Sequence, residues 1–372
     1  MQKNFSPLAW LAPLGAGGIS IITFAFFNYS LTHPAGLINF SQTDGGLLVR
    51  ILEGNMLLFI ALHLLLTIFL IAPLVRFLRD ENYQNFRDNP LQNSALLAPF
   101  ISAAMTLNVL IGPIRYFVPA FYENLQMLML PGFIAWVVLW ILTMRFVVKL
   151  LAISFTKSFD IAKISFGWLL HPFTLGMVTV TGTGVAAMAA DAVLANVAAF
   201  LSLISGSMEL VLLFVKTISI FKSHFAADGL PAKQFLPSFL IVIPNITLYA
   251  ISAFRLGHWL EKFHAAELGN YFKIVMTTAF AFETWYLFFG FVLLADYFRR
   301  HFFREYHVSQ WGLVCPLVAY AVLGSFVYKV FAPILLTKIV ILTTTAVVVL
   351  LFFFLLKKMF CCRKSCGNFS CE

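Results

Sequence analysis

Residues 310–328, from Gln310 to Tyr328, read QWGLVCPLVAYAVLGSFVY and contain no Asp, Glu, Lys or Arg. A helix of this length crosses the ~30 Å hydrocarbon core of a bilayer. Pro316 lies near the middle of the segment, where a proline removes one backbone donor and bends a helix. Because the carbonyl left without a donor needs a partner in lipid, such a bend faces protein or a water-filled cavity. The segment therefore predicts a membrane-spanning helix that lines a pore.

The composition of the whole chain indicates a membrane protein. Its 372 residues are 61% hydrophobic and only 11% charged, whereas soluble domains carry about 25% charged residues. The net charge of +9 comes from Lys and Arg in short loops, which the positive-inside rule explains without a nucleic-acid partner. We predict an all-α integral membrane protein of the inner (plasma) membrane, in contact with membrane lipid.

Ten apolar segments are long enough to span a bilayer. They cover residues 6–28, 46–77, 91–111, 126–150, 167–190, 196–221, 235–254, 271–298, 310–328 and 334–356. We assign residues 1–358 to one ten-span transmembrane pore domain and residues 359–372 to a cysteine-rich cytoplasmic tail.

Four of the five cysteines lie in this tail, at Cys361, Cys362, Cys366 and Cys371. A metal site or an oxidation-sensitive cluster is one interpretation, but the spacing matches no strong zinc or iron–sulfur signature. The alternative, which we favour, is a flexible tail whose thiols are reduced or carry lipid. The sequence thus predicts neither a bound metal nor a cofactor.

A repeat becomes visible when the segments are taken in pairs. Each odd-numbered segment holds a proline, and successive prolines are separated by 86, 73, 72 and 72 residues: Pro13, Pro99, Pro172, Pro244 and Pro316. The odd segments carry no charged residue, whereas the even ones include Arg50, Glu53, Glu209, Glu283 and Asp296. We therefore predict five helical hairpins around a central quasi-fivefold pore, with the odd, proline-kinked helices lining it.

Neutral polar and aromatic side chains of the odd segments are the candidate pore-lining residues. The alternative is that Ser, Thr and Gly merely allow close helix packing. The predicted lining consists of Thr23, Phe24, Phe100, Thr106, His171, Phe173, Thr179, Asn245, Thr247 and Cys315.

The distribution of basic residues predicts the orientation. With a cytoplasmic N-terminus, 18 of the 25 Lys and Arg residues lie on the inside and 7 on the opposite side. By the positive-inside rule, both termini are cytoplasmic. Basic residues at the cytoplasmic mouth would raise the local concentration of anions.

Four stretches resemble the tellurite-resistance/dicarboxylate transporter family, which includes bacterial tellurite-resistance proteins, slow anion channels of plant guard cells and yeast malate and sulfite transporters. They are FSPLAWLAPLGAGGIS (residues 5–20), RDENYQNFRDNPLQNSALLAPFISA (79–103), HPFTLGMVT (171–179) and QWGLVCPLVAY (310–320). The resemblance implies five tilted hairpins around a quasi-fivefold axis, a homotrimer with one pore per protomer, and a phenylalanine gate in the ninth helix. That phenylalanine follows a Trp by four positions, where this chain has Cys315. The candidate gate residues are therefore Cys315, Phe24, Phe100 and Phe173.

Two functions fit these features. The first is a channel or channel-like transporter for small inorganic or organic anions, because a pore of weak dipoles lets an anion enter and leave. The alternative is a proton-coupled transporter of a dicarboxylate, sulfite or a related oxyanion, because carboxylates within a membrane are candidate proton sites. Its candidates are Glu53, Glu209 and Glu283, with His63 and His171 as partners. We predict that the protein is not an enzyme, since the sequence contains no GxSxG, HExxH, P-loop or GxGxxG in a strand–helix setting.

Overall fold

The computed structural model describes residues 5–31, 39–40, 46–226, 230–363 and 370–371. Within these ranges, ten helices are long and apolar enough to cross a membrane. They are α1 (Pro7–Ser30), α2 (Leu47–Leu78), α3 (Asn93–Phe117), α4 (Leu125–Thr156), α5 (Phe166–Met188), α6 (Ala192–Ala226), α7 (Lys233–His264), α8 (Gly269–Leu293), α9 (Val308–Val330) and α10 (Leu335–Cys362). The prediction of an all-α, ten-span protein is confirmed.

Short elements fill several of the connections. Single turns of helix occur at Tyr83–Arg87, Pro119–Glu123, Ile161–Lys163 and Ala295–Tyr297. The strands Glu305–Tyr306 and Ser370–Cys371 pair in parallel and join the α8–α9 connection to the C-terminal tail.

The described part of the tail starts as helix, since α10 continues past the predicted boundary at residue 359. Cys361 carries a free thiol, whereas Cys362 is disulfide-bonded, which differs from the expected set of reduced or lipidated thiols. Cys366 lies outside the described residues.

The odd-numbered helices form a closed ring. Helix α1 packs on α3, α3 on α5, α5 on α7, α7 on α9, and α9 returns to α1. We call these five the inner helices. In 18-residue stretches of these helices, between 50% and 100% of the residues are buried, against 17% to 39% in the even-numbered helices.

The even-numbered helices, which we call the outer helices, surround this ring. Each packs on the inner helix that precedes it and on the inner helix that follows, and α10 contacts α1. Large apolar side chains on them face outward, among them Leu65, Met127, Phe214 and Val292. Surfaces of this kind suit contact with lipid, because a bilayer imposes no penalty on exposed hydrocarbon.

The repeated prolines lie at the start of the inner α-helices and not at a kink in their middle. Each inner helix begins with a 3-10 turn, and its proline occupies the second or third position of the α-helix that follows. In α9, for example, Val308–Leu313 is a 3-10 turn, and Pro316 is third in Val314–Val330. The first turn of an α-helix tolerates proline because its N–H groups have no partner within the helix. The expected mid-helix bends are thus replaced by five similar entry turns.

These entry turns close one end of the ring. The turn at Pro7–Trp10 packs on those at Asn93–Leu97 and Val308–Leu313, and the turns at Phe166–Leu169 and Lys233–Ile241 complete the circle. Trp10 and Trp311 within them are buried. The inner helices therefore begin in a compact layer of aromatic and aliphatic side chains.

Helices α4, α5 and α6 approach closely because Gly182 has no side chain. A Cβ atom at Gly182 would overlap the Trp136 ring and the Ser202 hydroxyl. The same Trp136 donates a hydrogen bond from Nε1 to the Val178 carbonyl at 2.8 Å, which fixes the ring in this position. Gly182 is thus a packing requirement of the fold.

We expect Gly182→Ala to lower the free energy of unfolding by about 1–3 kcal/mol, the usual cost of overpacking a buried site. Thermal unfolding of the detergent-purified protein measures this effect. Gly54→Ala in α2 is the matched control, since nothing lies within 4 Å of its added Cβ. This control should be neutral or more stable by up to about 1 kcal/mol, because alanine favours helix. Equal shifts in the two variants would contradict the packing role of Gly182.

Candidate functional site

A cavity of about 900 Å³ lies inside the ring of inner helices. All of the described residues that line it belong to α1, α3, α5, α7 or α9, and the outer helices contribute none of them. On each inner helix the lining positions recur every three or four residues, as in Phe173, Met177, Val180 and Gly184 of α5. One face of each inner helix therefore forms the wall.

The mouth of the cavity lies at the carboxyl ends of the inner helices, opposite to the entry turns. Four cations line it, namely Arg115, Arg255, Lys262 and Lys329, together with one carboxylate, Glu261. Glu261 forms its ion pair with His258, at 2.9 Å. Within the described ranges, no carboxylate forms an ion pair with any of the four cations. The mouth thus carries an excess of uncompensated positive charge.

Backbone carbonyls hold two of these cations in place. Arg255 donates from Nη1 to the Val180 carbonyl of α5, and Gly184 leaves room for the guanidinium group. Lys262 donates to the Ala189 carbonyl at 2.7 Å, just beyond the end of α5. Both residues also line the cavity.

The other two cations differ in exposure. Lys329 lies in solvent at the rim, with its Nζ atom 5.3 Å from the centre of the Tyr29 ring. Arg115 is buried, with 3% of its surface exposed, and its Nη1 atom has no hydrogen-bond partner among the described residues. A buried guanidinium group with an unpartnered donor is costly unless it meets a hydrogen-bond acceptor.

The middle of the cavity is mostly apolar. Phe24, Ile251 and Val322 contribute to its wall, with a polar pair on one side. Asn108 of α3 donates to the Thr181 hydroxyl of α5 at 2.8 Å, so these two groups largely satisfy one another. An ion passing this region would meet few free dipoles.

The inner end of the cavity lies where the α-helices begin. The lining on α5, α7 and α9 starts at Phe173, Pro244 and Cys315. Cys315 and Lys329 are 14 residues apart on α9, which corresponds to about 21 Å along a helix. The entry turns precede these positions in the chain, and we call the cavity between them and the basic mouth the vestibule.

A buried carboxyl group borders this inner end. The Thr247 hydroxyl, which lines the cavity, lies 2.5 Å from Oε1 of Glu283 on α8 and 3.2 Å from the Ile243 carbonyl. Its single proton cannot serve both acceptors. If the proton goes to Ile243, the contact with Glu283 requires a protonated carboxyl group. Oε2 of Glu283 has no partner in the described part of the chain.

Four of the ten residues predicted to line a pore lie on the cavity wall: Phe24, Phe173, Thr247 and Cys315. Three of the four candidate gate residues are among them. The structure therefore brings Phe24, Phe173 and Cys315 to one cavity but leaves out Phe100.

The other six predicted residues lie away from the cavity wall, because their side chains have partners elsewhere. Thr23 accepts from Asn55, Thr106 contacts His63, and Thr179 contacts Ser205. Each of these three hydrogen bonds joins an inner helix to an outer helix. The bonds of Thr23 and Thr179 lie within a hairpin, and that of Thr106 joins one hairpin to the next.

The remaining three side chains also have partners away from the cavity wall. Phe100 stacks on Phe146 of α4 at 5.3 Å. His171 is buried and lies 3.2 Å from the Trp168 carbonyl through its Nδ1 atom. Asn245 donates to the Ile241 carbonyl of its own helix at 2.8 Å.

The candidate proton sites have different environments. Glu53 pairs with Arg50 at 3.5 Å and accepts a hydrogen bond from Tyr116 at 2.7 Å, a structural role. His63 lies 2.7 Å from the Pro13 carbonyl through its Nδ1 atom, a packing contact between α1 and α2.

Glu209 is fully buried behind Gly176, and neither carboxyl oxygen has a hydrogen-bond partner among the residues that the structure describes. Among these groups, Glu283 is the carboxyl that contacts a cavity-lining side chain.

The cations of the mouth were not among the candidates, although the sequence contains a signal for them. Arg115, Arg255, Lys262 and Lys329 are four of the seven basic residues assigned to the side opposite the termini. The expected site of positive charge was the cytoplasmic mouth instead. Their position at the end of odd segments is the feature that points to the cavity.

Comparison with known proteins agrees with this geometry. The family model described as voltage-dependent anion channel (SLAC1) matches residues 4–360. No curated protein matches the chain.

Proposed function

Since the chain belongs to the voltage-dependent anion channel (SLAC1) family, we propose that it carries small inorganic or organic anions through the cavity of its inner helices. The family consists of channels and transporters, and the ten apolar helices indicate a multi-pass membrane protein. The path that we infer runs from the basic mouth along the faces of α1, α3, α5, α7 and α9.

One observation carries this proposal: a closed ring of inner helices surrounds a cavity whose mouth has four cations, none of which forms an ion pair with a carboxylate of the described residues. A cleft lined by charge of one sign attracts counter-ions and raises their local concentration. The apolar middle holds an anion weakly, and weak binding permits release. Attraction at the mouth followed by weak binding is what conduction requires.

We place the gate at the inner end of the cavity. Cys315 and Phe173 lie there, next to the layer of entry turns, with Phe24 farther along the wall. A small separation of the entry turns would extend the vestibule to the other side of the membrane. The gate of this chain then differs from the phenylalanine gate that the resemblance implies, because Cys315 occupies that position.

The second candidate function is proton-coupled transport of a dicarboxylate, sulfite or related oxyanion. The contact between Thr247 and the buried Glu283 supports it, since it places a proton-binding group beside the inner end of the cavity. A carboxyl group that gains and loses a proton there would change the charge next to the path.

We further propose that the protein is a homotrimer of the inner (plasma) membrane with both termini in the cytoplasm. The excess of basic residues, 18 against 7, supports this orientation. The basic mouth of the cavity then faces away from the cytoplasm. The trimer rests on the resemblance described above.

Flux measurements in liposomes distinguish the two functions. For a channel we expect a chloride or nitrate current that reverses at the Nernst potential of the anion, whatever the pH gradient. In that case Glu283→Gln leaves the pH dependence of flux unchanged. For coupled transport, flux requires a pH gradient, and Glu283→Gln removes that requirement or abolishes flux.

The control is Glu267→Gln, which changes an exposed carboxylate in the α7–α8 connection. It should behave like the unmodified chain in both cases. Absence of any anion flux from folded, reconstituted protein would overturn the proposed function.

A further inference from the structure

The cavity has charge at one end and hydrocarbon along its length. Its mouth bears Arg115 and Arg255, while its body is formed by side chains such as Phe24, Ile251 and Val322. A small hydrated anion needs hydrogen-bond donors around it, and these apolar side chains offer none. The body of the cavity therefore suits a different kind of ligand from the mouth.

The volume leads to the same conclusion. About 900 Å³ lies within the range of 300–1,000 Å³ that is typical of pockets for drug-sized molecules. A single water molecule occupies about 30 Å³, so one inorganic anion with its first waters fills a small part of the space. An apolar body on the anion would fill the remainder and displace water from hydrocarbon walls.

Arg115 provides the site for the charged group. Only 3% of its surface is exposed, and its Nη1 donor has no partner among the described residues. Arg255 donates one Nη1 bond to Val180 and also lines the cavity. Arg115, Arg255 and Tyr29 all line this same cavity. A carboxylate or sulfonate accepts several hydrogen bonds and matches guanidinium donors well.

We propose that this cavity binds amphiphilic organic anions, each with one carboxylate or sulfonate group on an apolar body. The charged group lies at Arg115 and Arg255, and the apolar body extends toward Phe173 and Cys315. The proposal rests on the proposed function, because it names the class of organic anion that the same cavity accepts. A bound amphiphile occupies the path and competes with inorganic anions.

The ligand enters from water at the mouth and not sideways from the bilayer. All described lining residues belong to inner helices, and outer helices stand between these and the lipid. The lipid headgroups themselves are therefore not the source of the anion.

Linear alkyl sulfonates test this inference, because their charge does not change with pH. Chloride flux is measured in phosphatidylcholine liposomes with butane-, hexane- and octanesulfonate as inhibitors, and isothermal titration calorimetry measures their Kd on the detergent-purified chain. We expect each added methylene group to tighten binding about fourfold, the factor that corresponds to about 0.8 kcal/mol per buried CH₂. Hexanol, which lacks the charged group, should neither bind nor inhibit.

Two variants and one control locate the site. Arg115→Gln should weaken binding of every sulfonate about tenfold or more, as loss of a charge-assisted hydrogen bond predicts. Val322→Trp, which fills part of the body, should weaken octanesulfonate more than butanesulfonate. Lys273→Gln should change neither, since Lys273 is exposed at the start of α8 and does not line the cavity.

The outcomes separate this inference from the proposed function. Chloride flux that no sulfonate inhibits, or inhibition that is independent of chain length, overturns the inference and leaves the function standing. Equal inhibition by hexanol, or equal effects of Arg115→Gln and Lys273→Gln, shows an action on the bilayer and also overturns it. Sulfonate binding that follows chain length and Arg115 in a chain without flux of any anion supports the site and contradicts the function.

Discussion

Replacement of Cys315 by phenylalanine is expected to lower anion flux about tenfold or more, the factor that a barrier increase of about 1.4 kcal/mol produces. Cys315 lines the inner end of the cavity, close to the layer of entry turns, and only 7% of its surface is exposed. A phenylalanine ring there extends into the path and replaces space for water with hydrocarbon. Apolar constrictions of this kind block ions by excluding water. Flux of chloride or nitrate in liposomes measures the effect.

Two matched variants test whether the loss of flux requires a phenylalanine ring at position 315 itself. Cys315→Ala removes the thiol without narrowing the path, so flux should be retained. Leu317→Phe places the same ring two residues farther along α9, at a position that does not line the cavity, and should also retain flux. Thermal unfolding confirms that each variant is folded. If folded Cys315→Phe conducts like the unmodified chain, Cys315 does not lie on the path.

Length and charge were sufficient to find the ten helices, because a span must be long and apolar whatever it packs against. The ninth segment, for example, was predicted at residues 310–328 and is observed at Val308–Val330. The burial of the odd-numbered helices also followed from their lack of charge. The prediction of mid-helix kinks was wrong, because the sequence does not reveal that a 3-10 turn precedes each proline.

The same rule explains why the cations of the mouth were overlooked. The third segment was predicted to end at residue 111 and the seventh at residue 254, so both arginines fell outside the charge-free odd segments. In the structure, α3 continues through a π-turn at Leu110–Ile114 as far as Phe117, and α7 continues to His264. Arg115 and Arg255 are therefore helical residues that face the cavity.

Polarity did not distinguish the residues on the cavity wall from the others, for a different reason. Hydroxyl and amide groups within a membrane first satisfy nearby backbone carbonyls. Thr174 donates to the Leu170 carbonyl and Ser325 to the Ala321 carbonyl, one turn earlier in each case. In a sequence, both cases appear as a neutral polar residue in an apolar segment. A side chain that bonds to its own helix therefore cannot be distinguished from one that faces a pore.

A second charged site stabilises the chain where α9 begins. Lys358 of α10 is fully buried and donates hydrogen bonds to the Phe302 carbonyl, to the Glu305 carbonyl at 2.6 Å and to Oε1 of Gln310 at 3.0 Å. The Glu305 side chain, in the same connection, contacts Lys233, His301 and His307. Hydrogen bonds to Lys233 and then to His301 and His307 lower its pKa to about 2, against the opposing effect of burial. The connection between α8 and α9 is therefore fixed at both its backbone and its side chains.

We expect Lys358→Met to lower the free energy of unfolding by about 1–3 kcal/mol, the usual cost of leaving a buried hydrogen-bond acceptor without its donor. Methionine matches the length of the lysine stem but donates no hydrogen bond, so two carbonyls and the Gln310 amide oxygen lose the Lys358 donor in a buried site. Thermal unfolding in detergent and the yield of monodisperse protein measure the loss. Lys357→Met is the control, because Lys357 is the adjacent residue, is exposed, and its side chain makes no hydrogen bond among the described residues. The control should be close to neutral, so similar losses in the two variants would show that hydrophobic substitution at this end of α10, and not the buried ammonium group, sets the stability.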